Sequence, residues 1–269
     1  MLSVALALQC MAFTLAALAR ADDCARERLK MAAEADVRAG RGTTWFEHIQ
    51  KAGGHAVCEL YNLFGEARPC VSRCGPLHNG RCGDSRADSA LNALRNATAA
   101  RSFLSDRGAS FYGHEFGTLP HAPEPGVMAY VAVVREPRAW SASWRRRFRS
   151  RDATSFAEQL GAWRVPGAHA PEALLAAAKQ FVDACSVAFA LDDPADDDGG
   201  FAVLGWGRRD PAALRLAMAR NANRTRASNA RLVADSGDSA SHLDAEIYEY
   251  ARSHGTRQRD RRTACGLGS

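Results

Sequence analysis

Seven consecutive apolar residues, Met128 to Val134 (MAYVAVV), constrain this chain more than any other stretch. A strand with one wet face alternates apolar and polar residues. An unbroken run of this length is the mark of a parallel strand covered on both faces. Pro137 follows where a helix begins, a position at which no backbone N–H is needed. Trp140, Trp144 and Phe148 then recur every four residues and give that helix an apolar stripe.

Similar alternation runs through the chain. A charged helical segment spans Asp22 to Val37, and Thr43 to Ile49 reads as a strand that ends in Gln50-Lys51-Ala52-Gly53-Gly54. Helical patterns cover His55 to Phe64, roughly Ala87 to Leu104, Pro171 to Leu191, Pro211 to Ala219 and Leu243 to Arg252. Ser110 to His114 reads as a short strand and Phe201 to Leu204 as a buried one. Strands separated by helices imply an α/β fold: a three-layer, P-loop-like parallel sheet flanked by helices. No internal repeat or linker divides it. The expected organisation is a leader at 1–21, a helical stem at 22–42, one domain at 43–255 and a basic tail at 256–269.

Leu2 to Ala19 form an apolar run, and Ala19-Arg20-Ala21 has the small-x-small pattern of a signal-peptidase site. A cleaved signal peptide is expected; a single type II membrane anchor is the alternative. Either sends the chain into the secretory pathway, to the Golgi lumen or outside the cell. Asn96-Ala97-Thr98 and Asn223-Arg224-Thr225 are glycosylation sequons that agree with this. Eight cysteines include Cys10 within the run and Cys24, Cys58, Cys70, Cys74, Cys82, Cys185 and Cys265 beyond it. In an oxidising lumen they read as disulfides whose pairing the spacing does not reveal, with one thiol left over. A zinc site is disfavoured because no CxxC pair occurs.

With 46% hydrophobic and 24% charged residues the composition is globular. The net charge of +5, from 35 basic and 30 acidic residues, suits an anionic ligand without requiring nucleic acid. Only Lys30, Lys51 and Lys179 are lysines, so the basic residues are nearly all arginine. The run Arg145-Arg146-Arg147, with Arg149 and Arg151, could hold a polyanionic glycan, but a solvated helix face is the simpler reading. The acidic stretch Asp192 to Gly200 reads as solvated surface, with no EF-hand spacing.

Ligands of open α/β sheets bind beyond the carboxyl ends of the strands. Two such ends carry chemistry here. Lys51-Ala52-Gly53-Gly54-His55-Ala56 is a strand–turn–helix junction where glycines admit an anion and helix-start amides face it. It lacks the GK[ST] of an ATP-binding loop. Arg135, directly after the buried run, can grip a phosphate as a fork, and Ser143 lies eight residues beyond it.

In this order, the two segments resemble the sulfotransferase superfamily, specifically its lumenal carbohydrate group that includes heparan sulfate 2-O-sulfotransferases. Phe46 to Gly54 looks like the family's 5′-phosphosulfate loop, and Val131 to Ser143 like its 3′-phosphate motif. Weaker echoes are Phe111-Tyr112-Gly113-His114, Phe201 to Arg209, and the Asp244/Tyr248 pair in Leu243 to Tyr248. The resemblance implies a 3′-phosphoadenosine 5′-phosphosulfate donor, a carbohydrate acceptor and no metal. It implies that Lys51 stabilises the leaving phosphate and that the amides of Ala52, Gly53, Gly54, His55 and Ala56 hold the 5′-phosphate. Arg135 and Ser143 then hold the 3′-phosphate, and His114 is the general base. His48, by contrast, reads as a core histidine. The chain departs from the family where His55 and Ala56 replace the usual Thr or Ser, Glu136 replaces Asp, and Trp140 stands where arginine is common. A catalytically silent glycan- or nucleotide-binding member of the fold is therefore an alternative, as is a P-loop-like kinase or nucleotide hydrolase.

Overall fold

The computed structural model describes residues 2–49, 52–64, 70–72, 91, 93–114, 120–148, 155–161, 170–193, 200–236 and 241–268, with backbone alone at 2–18, 55, 70–72, 148 and 235–236. Five parallel strands form one sheet: β1 (Thr44–Glu47), β2 (Cys70–Ser72), β3 (Phe111–His114), β4 (Ala129–Val134) and β5 (Val187–Ala190), in the order β2-β3-β1-β4-β5. All six residues of β4 are buried, as its unbroken apolar run requires. The side chains divide by parity. Trp45, Tyr112, Tyr130, Ala132 and Val134 face one core, and Phe46, Phe111, Val131, Val133 and Phe189 face the other.

Helices cover both faces. On the first side lie α3 (Ala97–Ser105), α4 (Pro137–Phe148), α5 (Phe156–Gly161), α6 (Pro171–Ala184) and α8 (His242–Arg252), contributing Leu104, Trp140, Phe156, Phe181 and Ile247. On the second lie α2 (Gly54–Phe64) and α7 (Pro211–Ser236), contributing Val57, Leu60, Leu214 and Met218. The architecture is a three-layer α/β domain.

Two elements differ from the sequence reading. Phe201–Leu204 is a 3₁₀ helix, not a strand. Its burial has period three, with Phe201 and Leu204 inside and Ala202 exposed, and left-handed glycines at Gly200 and Gly205 close both ends. The pattern at Pro171 to Leu191 is two elements: α6 stops at Ala184, and Val187–Ala190 continues as β5 against β4. An apolar strand directly behind an amphipathic helix extends its hydrophobic signal, and so hid the boundary.

The amino-terminal helix α1 (Leu2–Arg38) packs onto the domain. The segment expected as a basic tail is a helix too, α9 (His254–Ala264). A disulfide, Cys24–Cys265, joins the two across 241 residues of sequence. Beside it lies a buried charge cluster. Glu27 pairs with Lys30 at 3.2 Å, with Arg261 at 3.3 Å and with Arg262 at 3.2 Å, while Arg262 also reaches Glu34 at 2.7 Å. Lys30 is 1% exposed; burial lowers its pKa and the Glu27 charge opposes the shift. Cys58 is also disulfide-bonded, and the thiol of Cys185 is buried. Cys74 and Cys82 lie outside the described residues. Among the described residues no helix is long and apolar enough to cross a membrane.

Two stability measurements follow from this packing. Replacing Cys24 and Cys265 together by serine should lower the unfolding free energy by about 2–5 kcal/mol, because the bond closes nearly the whole chain. Urea titration of the double variant reads this directly. Asp244, 5% exposed, accepts the Phe156 N–H at 2.7 Å, and burial raises its pKa to about 6. Its unfolded value is about 3.9, so the native state holds the extra proton between about pH 4 and 6. Stability from this group is therefore lost as pH rises through that window, by about 2–3 kcal/mol. Asp244→Asn should abolish that slope: relative to the wild type, the variant should gain about this much between pH 4 and pH 7.

Candidate functional site

The strand order sets where a ligand can enter. From β1 the chain leaves through α2 towards β2 on one side; from β4 it leaves through α4, α5 and α6 towards β5 on the other. β1 and β4 are direct neighbours, with Glu47 level with Ala132. Connections that diverge from adjacent strands open a crevice at their carboxyl ends, the switch point where α/β sheets bind ligands. The two segments singled out in the sequence both sit at this edge.

Beyond β1, Gln50 and Lys51 lie outside the described residues. Ala52 is buried, and its N–H donates to Ile49 O at 3.0 Å. Gly53 has φ +114°, and a Cβ there would collide with Leu191. At Gly54 a Cβ would collide with the His48 ring. Both glycines are thus demanded by local packing, whatever else they admit. Ala56 N–H donates to Gly53 O at 2.9 Å as the helix starts, so that amide is taken up within the turn. The side chain of His55 is outside the described set. His48 is buried and stacked on Phe46 with centroids 5.4 Å apart, the packing expected of a core histidine.

Arg135, the first residue after β4, is 9% exposed. Its Nε donates to Asn229 Oδ1 at 2.6 Å and its Nη2 to Ser228 Oγ at 3.1 Å, both on α7. Burial lowers its pKa, and the nearby charge of Asp192 opposes the shift. Glu136 caps α4, accepting the Ala139 N–H at 2.7 Å. Ser143 lies on the second turn of α4, half-buried.

Asp192 corrects the reading of the acidic stretch as solvated surface. It is 8% exposed, accepts Tyr248 O–H at 3.1 Å and Glu136 N–H at 3.3 Å, and burial raises its pKa. Tyr248 thus serves Asp192, while Asp244 caps α5. Arg145 is half-buried on α4, with Arg146 and Arg147 exposed; Arg149 and Arg151 lie outside the described residues.

His114 ends β3 on the sheet face opposite Arg135. It is level with Glu47, and its Nδ1 lies 2.9 Å and 3.0 Å from the two Glu47 carboxylate oxygens. Both side chains are almost fully buried. Trp45 donates from Nε1 to Glu47 Oε2 at 3.1 Å and fixes the carboxylate. A carboxylate on Nδ1 holds the proton there and makes Nε2 the basic nitrogen. The edge therefore has a cationic clasp on one face, an oriented imidazole on the other, and the glycine turn between them. Among the described residues no group of three His, Cys, Asp or Glu is arranged to hold a metal ion.

Glu47 and the Ser228/Asn229 pair were missed in the sequence. Glu47 left a signal, the one carboxylate of β1; Asn229 left none. No protein-family model matches the chain, and no curated protein or solved structure matches it either.

The packing at Gly54 gives a direct check. Gly54→Ala should destabilise the domain by about 1–3 kcal/mol, through overpacking against an imidazole that cannot retreat from a filled core. Combining it with His48→Ala should restore much of the loss in a urea titration.

Proposed function

We propose that this chain transfers a sulfuryl group from 3′-phosphoadenosine 5′-phosphosulfate to a hydroxyl of a carbohydrate in the secretory pathway. The single observation that carries this reading is the adjacency at the switch point. The turn after β1 and Arg135 after β4 follow the carboxyl ends of two neighbouring strands, where one nucleotide could meet both. The disulfide Cys24–Cys265 supports an oxidising compartment.

Each residue has a definite task in this reading. The amides of Gly53, Gly54 and His55 meet the 5′-phosphate, and Lys51 brings a full positive charge to the oxygen left behind as the sulfur–oxygen bond breaks. Arg135 and Ser143 hold the 3′-phosphate. His114 Nε2 takes the acceptor's proton as its oxygen bonds to sulfur, and Glu47 stabilises the resulting imidazolium. The donor supplies an activated sulfuryl group whose transition state spreads negative charge, so positioning and electrostatics do most of the work.

Calorimetry with 3′-phosphoadenosine 5′-phosphate, followed by a labelled-donor transfer assay over a glycan panel, tests the proposal. Binding and transfer are the expected results. Magnesium-dependent ATP binding instead would indicate a kinase or nucleotide hydrolase. Glycan affinity without nucleotide binding would indicate a silent member of the fold. Lys51→Ala should cut transfer by about 10²–10³-fold. His114→Ala should lower turnover by about 10²–10⁴-fold with little change in donor affinity. Full activity in either variant removes that residue's role.

A further inference from the structure

The two sequons, Asn96-Ala97-Thr98 and Asn223-Arg224-Thr225, are placed very differently by the fold. Asn96 is the N-cap of α3, with extended backbone (φ −142°, ψ 153°) and an exposed side chain. Its Oδ1 accepts the Ala99 N–H at 2.7 Å, and Glu124 Oε1 accepts the Ala97 N–H at 3.3 Å. The cap therefore uses only the amide oxygen. Nδ2, the atom to which an N-linked glycan is joined, takes no part in it. An amide nitrogen that bears a sugar leaves Oδ1 accepting as before, so the modified residue still starts the helix. Thr98 is exposed as well.

Asn223 lies deep within α7. The sequon needs a hydroxyl two residues after the asparagine, so the modifying enzyme engages both side chains together. Residues two apart share a face in extended chain but point to different sides of a helix. A helical sequon must therefore unwind to be used. At Asn96 this opens only the first turn of α3, the part of a helix that frays. At Asn223 it breaks α7 in its middle, beside the buried Asn221 and Ala222. The Asn223 side chain is also engaged: its Oδ1 accepts from Arg226 Nη1 at 3.3 Å, and Arg226 Nε donates to Asp192 O at 2.6 Å.

We infer that Asn96 carries an N-linked oligosaccharide and that Asn223 stays bare. This rests on the secretory compartment of the proposed function. The donor is a lipid-linked oligosaccharide pyrophosphate. A bond forms between Asn96 Nδ2 and the sugar C1 as the bond from C1 to the pyrophosphate oxygen breaks. Nδ2 gives up one proton, and the lipid pyrophosphate leaves with the electron pair.

The test translates the full chain in vitro with eukaryotic microsomes. Gel mobility is read with and without peptide N-glycosidase, alongside protection from added protease. The wild-type chain should be protected and show one step of slowed mobility that the glycosidase reverses. Thr98→Ala, which leaves Asn96 and its cap in place, should abolish the step, and Thr98→Ser should retain it. Thr225→Ala should change nothing. A protected chain of unaltered mobility overturns the inference and leaves the compartment standing. So does any step that Thr225→Ala removes. A chain left outside the vesicles and digested removes the compartment, and the inference falls with it. The nucleotide site, read by calorimetry on the purified chain, is untouched by each of these outcomes.

Discussion

The covering of the sheet on both faces is the constraint from which the rest follows. β4 buries all six of its residues, and its neighbours β1 and β5 bury all four of theirs. Apolar side chains on both faces demand helices above and below, and parallel strands demand crossovers long enough to supply them. Within the sheet layer, charged groups then gather at the strand ends. Glu47 is the one charged residue within β1, and it lies at the strand's last position, where His114 and Trp45 can satisfy it.

At the carboxyl edge, buried charges are organised by neutral or opposite partners that come from far away in sequence. Arg135 is held by α7, Asp192 by the α4 start and by Tyr248 of α8. Each tie links a strand end to a helix from a different layer, so the edge is rigidified from three directions. Tyr248 bonds Asp192, whereas Asp244 accepts the Phe156 N–H. The two residues share a helix but serve different elements.

Much of the layer architecture was legible in the sequence, because β4 and the α4 stripe have periods that physical burial enforces. The misreadings arose where two signals overlap. Phe201–Leu204 is too short for period two and period three to be told apart, and its bracketing glycines were the only clue to a 3₁₀ turn. Pro171 to Leu191 joined helix and strand because both are apolar. Of the site, Arg135, His114 and the glycine turn were visible as residues at strand ends. Their partners were less so. Glu47, the one charge of β1, was passed over, whereas Asn229 meets Arg135 across 94 residues and nothing local marks it. Long-range hydrogen bonds and the Cys24–Cys265 pairing leave no periodic trace, and only the fold reveals them.

That pairing has a geometric outcome. With Cys24 stapled to Cys265 and Arg20 reaching the carbonyl of Ala264, polypeptide on either side of the domain departs from one and the same corner. Topologically the domain is a near-closed ring with two adjacent exits. Anything tethered upstream of Cys24 therefore dictates the attitude of the whole body, since α1 is welded in place rather than hinged, and the crevice faces a direction fixed by that tether.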